Sequence, residues 1–343
     1  MNTILRSRLF WPIATLAALL VLNVIVEPQF FSLRVQDGHL FGSVIDILRN
    51  GAPTVLVALG MTLVIATRGI DLSVGAIVAI CGALACSMIA ASPHPGDVST
   101  VLLAVGASLV MAIVLGLWNG LLVAVIGIQP IIATLILMTA GRGLAMLITE
   151  GQIITVTSAP YKVIGGGYWL ALPASILIAA AMFAITAVLT RKTALGMLIE
   201  SVGINPEASR LAGVRSRSII WTVYVFSAFC AGIAGLMISS NVTAADANNA
   251  GLWIELDAIL AVVIGGTSLM GGRYSLIGTL VGAFIIQTLT TTVYTVGIPP
   301  EVTLVFKAIV VIAVCLLQAP AMQARIRSWR RKRALAAQEG IAA

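Results

Sequence analysis

Charge is what this chain has least of. Asp, Glu, Lys and Arg make up 10% of its 343 residues, against 59% hydrophobic, where a soluble globular chain carries about a quarter charged residues. Mean hydropathy is +1.07. Lipid is the main solvent for such a composition, and the apolar runs recur along the whole length, so the chain reads as one membrane domain rather than two soluble ones. Histidine is scarcer still, at two residues. His39 and His94 stand near Asp37 and Asp97 in segments expected to be solvated loops. No Ser/His/Asp or metal-ligand constellation can be assembled, so no enzymatic chemistry is expected. The four cysteines (Cys81, Cys86, Cys230, Cys315) fall inside apolar runs, without metal or disulfide spacing, and read as packing residues. The dipeptide Gly-Lys is absent, which excludes a phosphate-cradling loop of the G-x-x-x-x-G-K-[ST] type. The chain is expected to bind no cofactor and not to hydrolyse ATP by itself.

Acidic groups are also missing where an ion-coupled carrier would place them, inside the bilayer. All 13 Asp and Glu residues fall in or beside predicted connections, with Asp71, Glu200, Glu207 and Glu339 on one side and the rest on the other. Transport by such a chain would need an engine supplied from outside.

Present instead are ten apolar stretches near the ~20-residue length of a membrane span, at 9–27, 51–67, 73–91, 100–126, 130–149, 169–190, 218–240, 256–270, 276–297 and 302–319. The expected fold is an all-α polytopic membrane protein, a transmembrane domain over 9–320 between a short N-terminus, 1–8, and a basic tail, 321–343. The first run follows Arg6 and Arg8 as a signal peptide would, but "VEPQF" rather than a small-x-small cleavage site comes after it. It reads as an uncleaved span. With the N-terminus in the cytoplasm, only Arg34, Arg49 and Lys162 fall outside, and Arg142 and Lys307 fall within spans. The other fifteen of the 20 basic residues lie inside, a strong positive-inside bias. The net charge of +7 therefore belongs to the cytoplasmic membrane face and gives no reason to invoke nucleic acid; 325–333 is expected to lie on anionic lipid heads or against a cytoplasmic partner. The stretch 256–270 is short and meets Gly265–Gly266 and Gly271–Gly272; it is expected to be a broken or thinly packed span, irregular backbone being tolerated where protein buries it.

The longest inside connection, 191–217, contains "ESVGINPEASRLAGV". Asn205 is a favoured N-cap, Pro206 suits the first helical position, Glu207 complements the positive helix end and Gly213 is a natural stop. These signals predict a helix over 206–212, ~10 Å long. So short a helix is marginal in water. It is held either as a lid on its own domain or by a partner that receives it, and the residues alone leave both open.

Polar residues inside spans should face the protein interior. Trp118 and Asn119 together offer an aromatic face and hydrogen bonds to a sugar, and Arg142, between Gly141 and Gly143, and Gln287 are further pathway candidates. Bridging between helices is the competing role for Asn119 and Gln287, and pairing within the protein for Arg142. Lys307 is expected to snorkel outward, and Asp71 to cap the third span.

Resemblance to a known family then narrows the reading. "GIDLSVGA" (69–76), "GINPEASRLAGV" (203–214) and "VVIGGTSLMGGRYSLIGTLVGA" (262–283) resemble the signature stretches of permease subunits of ribose/xylose/galactose-type ABC sugar importers. "QPIIATLILM" and "ADANNAGLWIELDAILAVVIGG" are similar to the galactofuranose-type branch, and the likeness runs from about 35 to 320. At Arg68 it departs, Gly being usual there. "EASRLAG" (207–213) resembles the Glu-Ala-Ala, three residues, Gly coupling motif, with Ser209 for the second Ala. The resemblance implies a bacterial inner-membrane homodimer with both termini cytoplasmic. It implies a cytoplasmic tandem-domain ATPase that uses ATP and Mg, and a periplasmic sugar-binding protein. Glu207, Ala208, Arg210 and Gly213 would couple to the ATPase; Asn248, Asn249 and Trp253 would meet the binding protein. Galactofuranose is the implied substrate, with another pentose or hexose next. An amino acid or nucleoside permease would share the architecture, and a secondary carrier or channel is the alternative of a different class.

Overall fold

The computed structural model describes residues 9–297, apart from 37 and 170, and single positions from 299 to 312. Among the described residues twelve α-helices follow one another: α1 (Phe10–Val26), α2 (Ser43–Ala66), α3 (Val74–Ala91), α4 (Val98–Gly120), α5 (Pro130–Ile148), α6 (Ala159–Gly165), α7 (Ala174–Lys192), α8 (Leu195–Ile204), α9 (Pro206–Leu211), α10 (Ser216–Val242), α11 (Ile254–Ile264) and α12 (Leu276–Thr295). Seven of them, α2, α3, α4 with its π-helical extension through Ile126, α5, α7, α10 and α12, are long and apolar enough to cross a membrane. The expected 1–8, the basic tail and most of the 302–319 span lie outside the described residues.

The centre of the bundle is α2, α3 and α10. From Gly51 to Ala66 only Pro53 of α2 is not fully buried, and α10 packs along α2, α3 and α4. Lipid supplies no hydrophobic drive between helices, so close backbone approach through small residues does that work. A Cβ on Gly60 of α2 would stand 2.7 Å from the Ser227 Cα of α10, and one on Gly235 of α10 would stand 2.3 Å from the Val78 carbonyl oxygen of α3. Cys81, Cys86 and Cys230 are buried and unpaired in this packing, as read from their apolar surroundings.

Two irregular segments interrupt the bundle from opposite ends. Residues 67–73 leave the end of α2 and climb inward before α3 begins. Residues 243–253 leave the end of α10 and descend before α11 begins. They meet: a Cβ on Gly75, in the first turn of α3, would lie 2.3 Å from Glu255 Oε2 and 2.7 Å from the Gly251 carbonyl. The expected break in the 256–270 stretch is thus real. α11 is an 11-residue helix that stops at Gly265, where Gly265 and Gly278 bring α11 and α12 into backbone contact.

Two expectations are corrected, and a third residue gains a partner. Asp71 does not cap α3: the N-cap position is Ser73, and Asp71 is fully buried. Lys307 has a partner that the sequence did not suggest: its Nζ donates to Asp257 Oδ2 of α11 at 2.9 Å. His39 is not freely solvated; it stacks on Tyr168 at 4.4 Å, where strands β1 (Arg34–Gln36) and β2 (His39–Phe41) lie beside β4 (Tyr168–Trp169) and β5 (Leu172–Pro173), joined by a bond from Leu40 N to the Ala171 carbonyl. The remaining pair, β3 (Ile154–Thr155) and β6 (Ala244–Ala245), ties the start of the descending segment to the loop after α5.

Candidate functional site: the α9 end and the buried polar centre

At one end of the bundle the chain between α7 and α10 builds α8 and α9. The Asn205 side chain accepts from the backbone N–H groups of Glu207 and Ala208 at 3.1 and 3.0 Å, Pro206 occupies the first turn, and Gly213 turns the chain with φ +87°. These are local signals, which is why the sequence alone places this helix to within one residue. Only Ser209 of α9 faces inward; Glu207, Ala208, Arg210 and Leu211 are exposed, as is Gly213. Two bonds join Arg210 to Glu207, at 2.6 and 3.1 Å. Through them the Glu207 carboxyl is held below its ordinary range, and the Arg210 guanidinium is raised. So exposed a pair adds little to stability. The segment is anchored from behind by Ser216 Oγ, which donates to the Pro206 carbonyl at 2.9 Å.

Sequence reasoning missed the apolar surface around this helix. Leu211 is 77% exposed, Met270 80%, Met197 66% and Ile204 60%, on α9, the α11–α12 connection and α8. Ile204 and Met270 stand beside Arg68, which donates to both their carbonyls, and Arg191, Lys192 and Arg215 flank α8 and α9 in the sequence. The only sequence signal was the interleaving of single large apolar residues with polar ones.

The second site is a polar cluster at the start of α3. Asp71 Oδ1 accepts from Ser73 N and Oγ at 3.1 and 2.6 Å, and its Oδ2 accepts from Ser227 Oγ at 3.0 Å. Asn119 of α4, fully buried, donates from Nδ2 to Ser73 Oγ at 2.7 Å, and Thr134 of α5 donates to the Ile70 carbonyl at 3.2 Å. The Tyr224 hydroxyl lies beside Gly69 without a hydrogen-bond partner among the described residues. Three helices, α4, α5 and α10, and the climbing segment are thereby joined, and the buried carboxylate is satisfied by hydroxyl and amide donors.

The other pathway candidates do not converge on one place. Trp118 is 49% exposed on the outside of α4; consecutive helical residues point about 100° apart, so it cannot share Asn119's environment. Gln287 is half-buried on α12, its stem beside Gly51 of α2. Arg142 reaches from α5 to the descending segment and donates to the carbonyls of Ala247 and Ala250 at 3.0 and 2.7 Å. In that segment Asn248, Asn249 and Trp253 are exposed, and Trp253 sits at φ +65° immediately before α11. Asp246 organises the turn by accepting from the N–H groups of Asn248 and Asn249 and from Asn249 Nδ2 at 2.7 Å. Among the described residues no cluster of His, Cys, Asp and Glu could hold a metal ion.

Residues 43–315 match the family model of the branched-chain amino acid transport system / permease component. The galactofuranose transporter permease protein YtfT of Escherichia coli is 51% identical, over 91% of this chain and 92% of its own. The fructose import permease protein FruF of Bifidobacterium longum is 41% identical, over 98% and 94%. The ribose import permease protein RbsC of Haemophilus influenzae is 36% identical, over 87% and 90%. No solved structure matches. With a bundle of membrane-crossing length and that family's model covering most of it, the chain belongs to the permease components of the branched-chain amino acid transport type, a family of ABC importer subunits that are not themselves enzymes.

Proposed function

We propose that this chain is the membrane-spanning permease subunit of an ATP-driven sugar importer, with galactofuranose or a related pentose or hexose as its cargo. One observation carries the reading of how it is driven: a capped six-residue helix, α9, whose Glu207, Ala208, Arg210 and Leu211 face solvent, with exposed Met197, Ile204 and Met270 around it. A surface that is both basic and apolar suits a folded cytoplasmic partner, which is the ATPase that binds ATP and Mg. The α9 end is then cytoplasmic, with both chain termini and the basic tail on the same side, ten crossings in the bacterial inner membrane, and 191–217 as the coupling loop. A second copy of the chain completes the pathway, and a periplasmic sugar-binding protein delivers the sugar to the end that carries Asn248, Asn249 and Trp253.

In this reading Glu207, Ala208, Arg210 and Gly213 dock the ATPase. Asn119 acts through the Asp71 cluster, and Arg142 through the segment that meets the binding protein. The cargo follows from the relatives named above, which are permeases for galactofuranose, fructose and ribose. Uptake into proteoliposomes containing permease, ATPase and binding protein tests this, with labelled galactofuranose, ribose, fructose and a branched-chain amino acid offered in turn. ATP-dependent accumulation of a sugar is expected. Accumulation of the amino acid alone would overturn the cargo, and uptake driven by an ion gradient without ATP would overturn the mechanism.

A further inference from the structure

Arg68 stands at the turn between α2 and the climbing segment with φ +65°, a left-handed conformation that an L side chain adopts at a cost and glycine adopts freely. Its side chain is not idle there. Nε donates to the Met270 carbonyl at 3.1 Å, and Nη2 donates to the Ile204 carbonyl. Ile204 is the last residue of α8, directly before the Asn205 cap of α9, and Met270 is the tip of the α11–α12 connection. One guanidinium thus spans three chain segments, at the ends of α2 and α8, where a cation also complements the helix dipoles.

The backbones beneath it are packed tightly. Gly272 N donates to the Ala66 carbonyl at 2.9 Å. A Cβ on Gly203 would stand 1.8 Å from that same carbonyl, and one on Gly271 would stand 2.4 Å from the Arg68 Cγ. Gly271 and Gly272 both have positive φ, at +80° and +87°. The glycines make the close contact possible, and Arg68 fastens it.

We propose that Arg68 is a positioning residue for transport: a clasp that makes the α8–α9 segment move as one body with the α11–α12 connection and the root of the climbing segment. Those two attachments lead directly to α11 and to α3, whose first turns meet at Gly75, Gly251 and Glu255. Movement imposed on α9 therefore reaches both interrupted helices through one junction. The inference rests on the reading of α9 as the docking element for an ATPase.

The test compares Arg68→Gly, which keeps the turn and removes the donors, with Arg68→Lys and wild type, in the reconstituted complex. A spin-label pair at Leu211 and Leu269 reports whether α9 and the connection move together. In wild type the Leu211–Leu269 distance stays narrow and unchanged between nucleotide-free and ATP-bound states. In Arg68→Gly the ATPase is expected to copurify as in wild type. Sugar moved per ATP hydrolysed is expected to fall about tenfold, the scale of one charge-assisted hydrogen bond, and the Leu211–Leu269 distance to broaden on ATP binding. Arg68→Lys, which cannot reach both carbonyls with a fork, is expected to fall between the two. An Arg68→Gly complex with wild-type transport per ATP and an unchanged distance would overturn the clasp while leaving docking intact. Failure of the wild-type chain to retain an ATPase would overturn docking, and the clasp with it.

Discussion

Arg142 on α5 donates a 2.7 Å hydrogen bond to the carbonyl of Ala250, 108 residues along the chain. With its second bond to Ala247, it fixes a stretch that has little regular structure of its own and that leads into α11. The position is partly buried and the acceptors are neutral carbonyls, so the arginine serves as a clamp on irregular backbone.

Replacing Arg142 by Ala removes two charge-assisted bonds. The expected loss is about 2–3 kcal/mol of stability, read as a lower unfolding temperature in detergent, together with faster labelling of a cysteine placed at Asn248. Lys is expected to rescue only part of the labelling rate, since a single ammonium lacks the guanidinium fork. Unchanged stability and labelling in Arg142→Ala would show that the segment is held by other contacts.

Asn119 is expected to distinguish a structural cluster from an exposed sugar site. Asn119→Ala leaves Ser73 Oγ without one donor and costs about 1–2 kcal/mol. Asn119→Asp adds a second carboxylate to the cluster that already holds Asp71 and costs about 3 kcal/mol or more. Thermal unfolding of the purified variants measures both. Equal stability of the Ala and Asp variants would contradict the close packing of Asn119 on Ser73.

How much of this was legible in the sequence depends on how local each signal is. Asn205, Pro206 and Gly213 speak to their immediate neighbours, and the helix they delimit appears where they predict it. The glycine pairs at 265–266 and 271–272 likewise announced the short α11. Asp71 did not read correctly: a short acidic residue before a helix looks the same whether it caps that helix or reaches Ser227, 156 residues away. The partner of Lys307 was hidden for the same reason, Asp257 lying 50 residues off. The pairing of Trp118 with Asn119 failed on helix geometry that the sequence did contain, adjacent residues never sharing a face. Arg68 was visible as a departure from the glycine that the family resemblance implies there, but its two carbonyl acceptors belong to distant turns and left no trace in the sequence.

Asp246 gives a pH dependence whose sign can be worked out. Hydrogen bonds from the Asn249 side chain, then from the backbone of Asn249 and Asn248, hold its carboxyl below the ordinary value of 3.8, with the Arg142 charge adding to them. A carboxyl lower in the folded than in the unfolded chain contributes stability that is complete above the unfolded value and lost as pH falls through the folded one. Protection of the Asn248 and Asn249 amides against hydrogen exchange is therefore expected to be constant at neutral pH and to fall only below 3.8. The group is partly exposed at the surface, so the effect stays local to the turn. Protection that declines already near neutrality would mean that another group controls the loop.

The central claim is that α9 is a docking element for a separate ATPase. Purifying the chain from its native membranes in mild detergent, and identifying by mass spectrometry what accompanies it, tests this most directly. An ABC ATPase in stoichiometric amount is predicted with the wild-type chain. It should be lost from Glu207→Lys, which reverses the charge facing Arg210, and from Gly213→Pro, whose ring cannot adopt φ +87°. Absence of any ATPase from the wild-type preparation, or its full retention by both folded variants, would contradict the account and leave α9 as a lid on its own bundle.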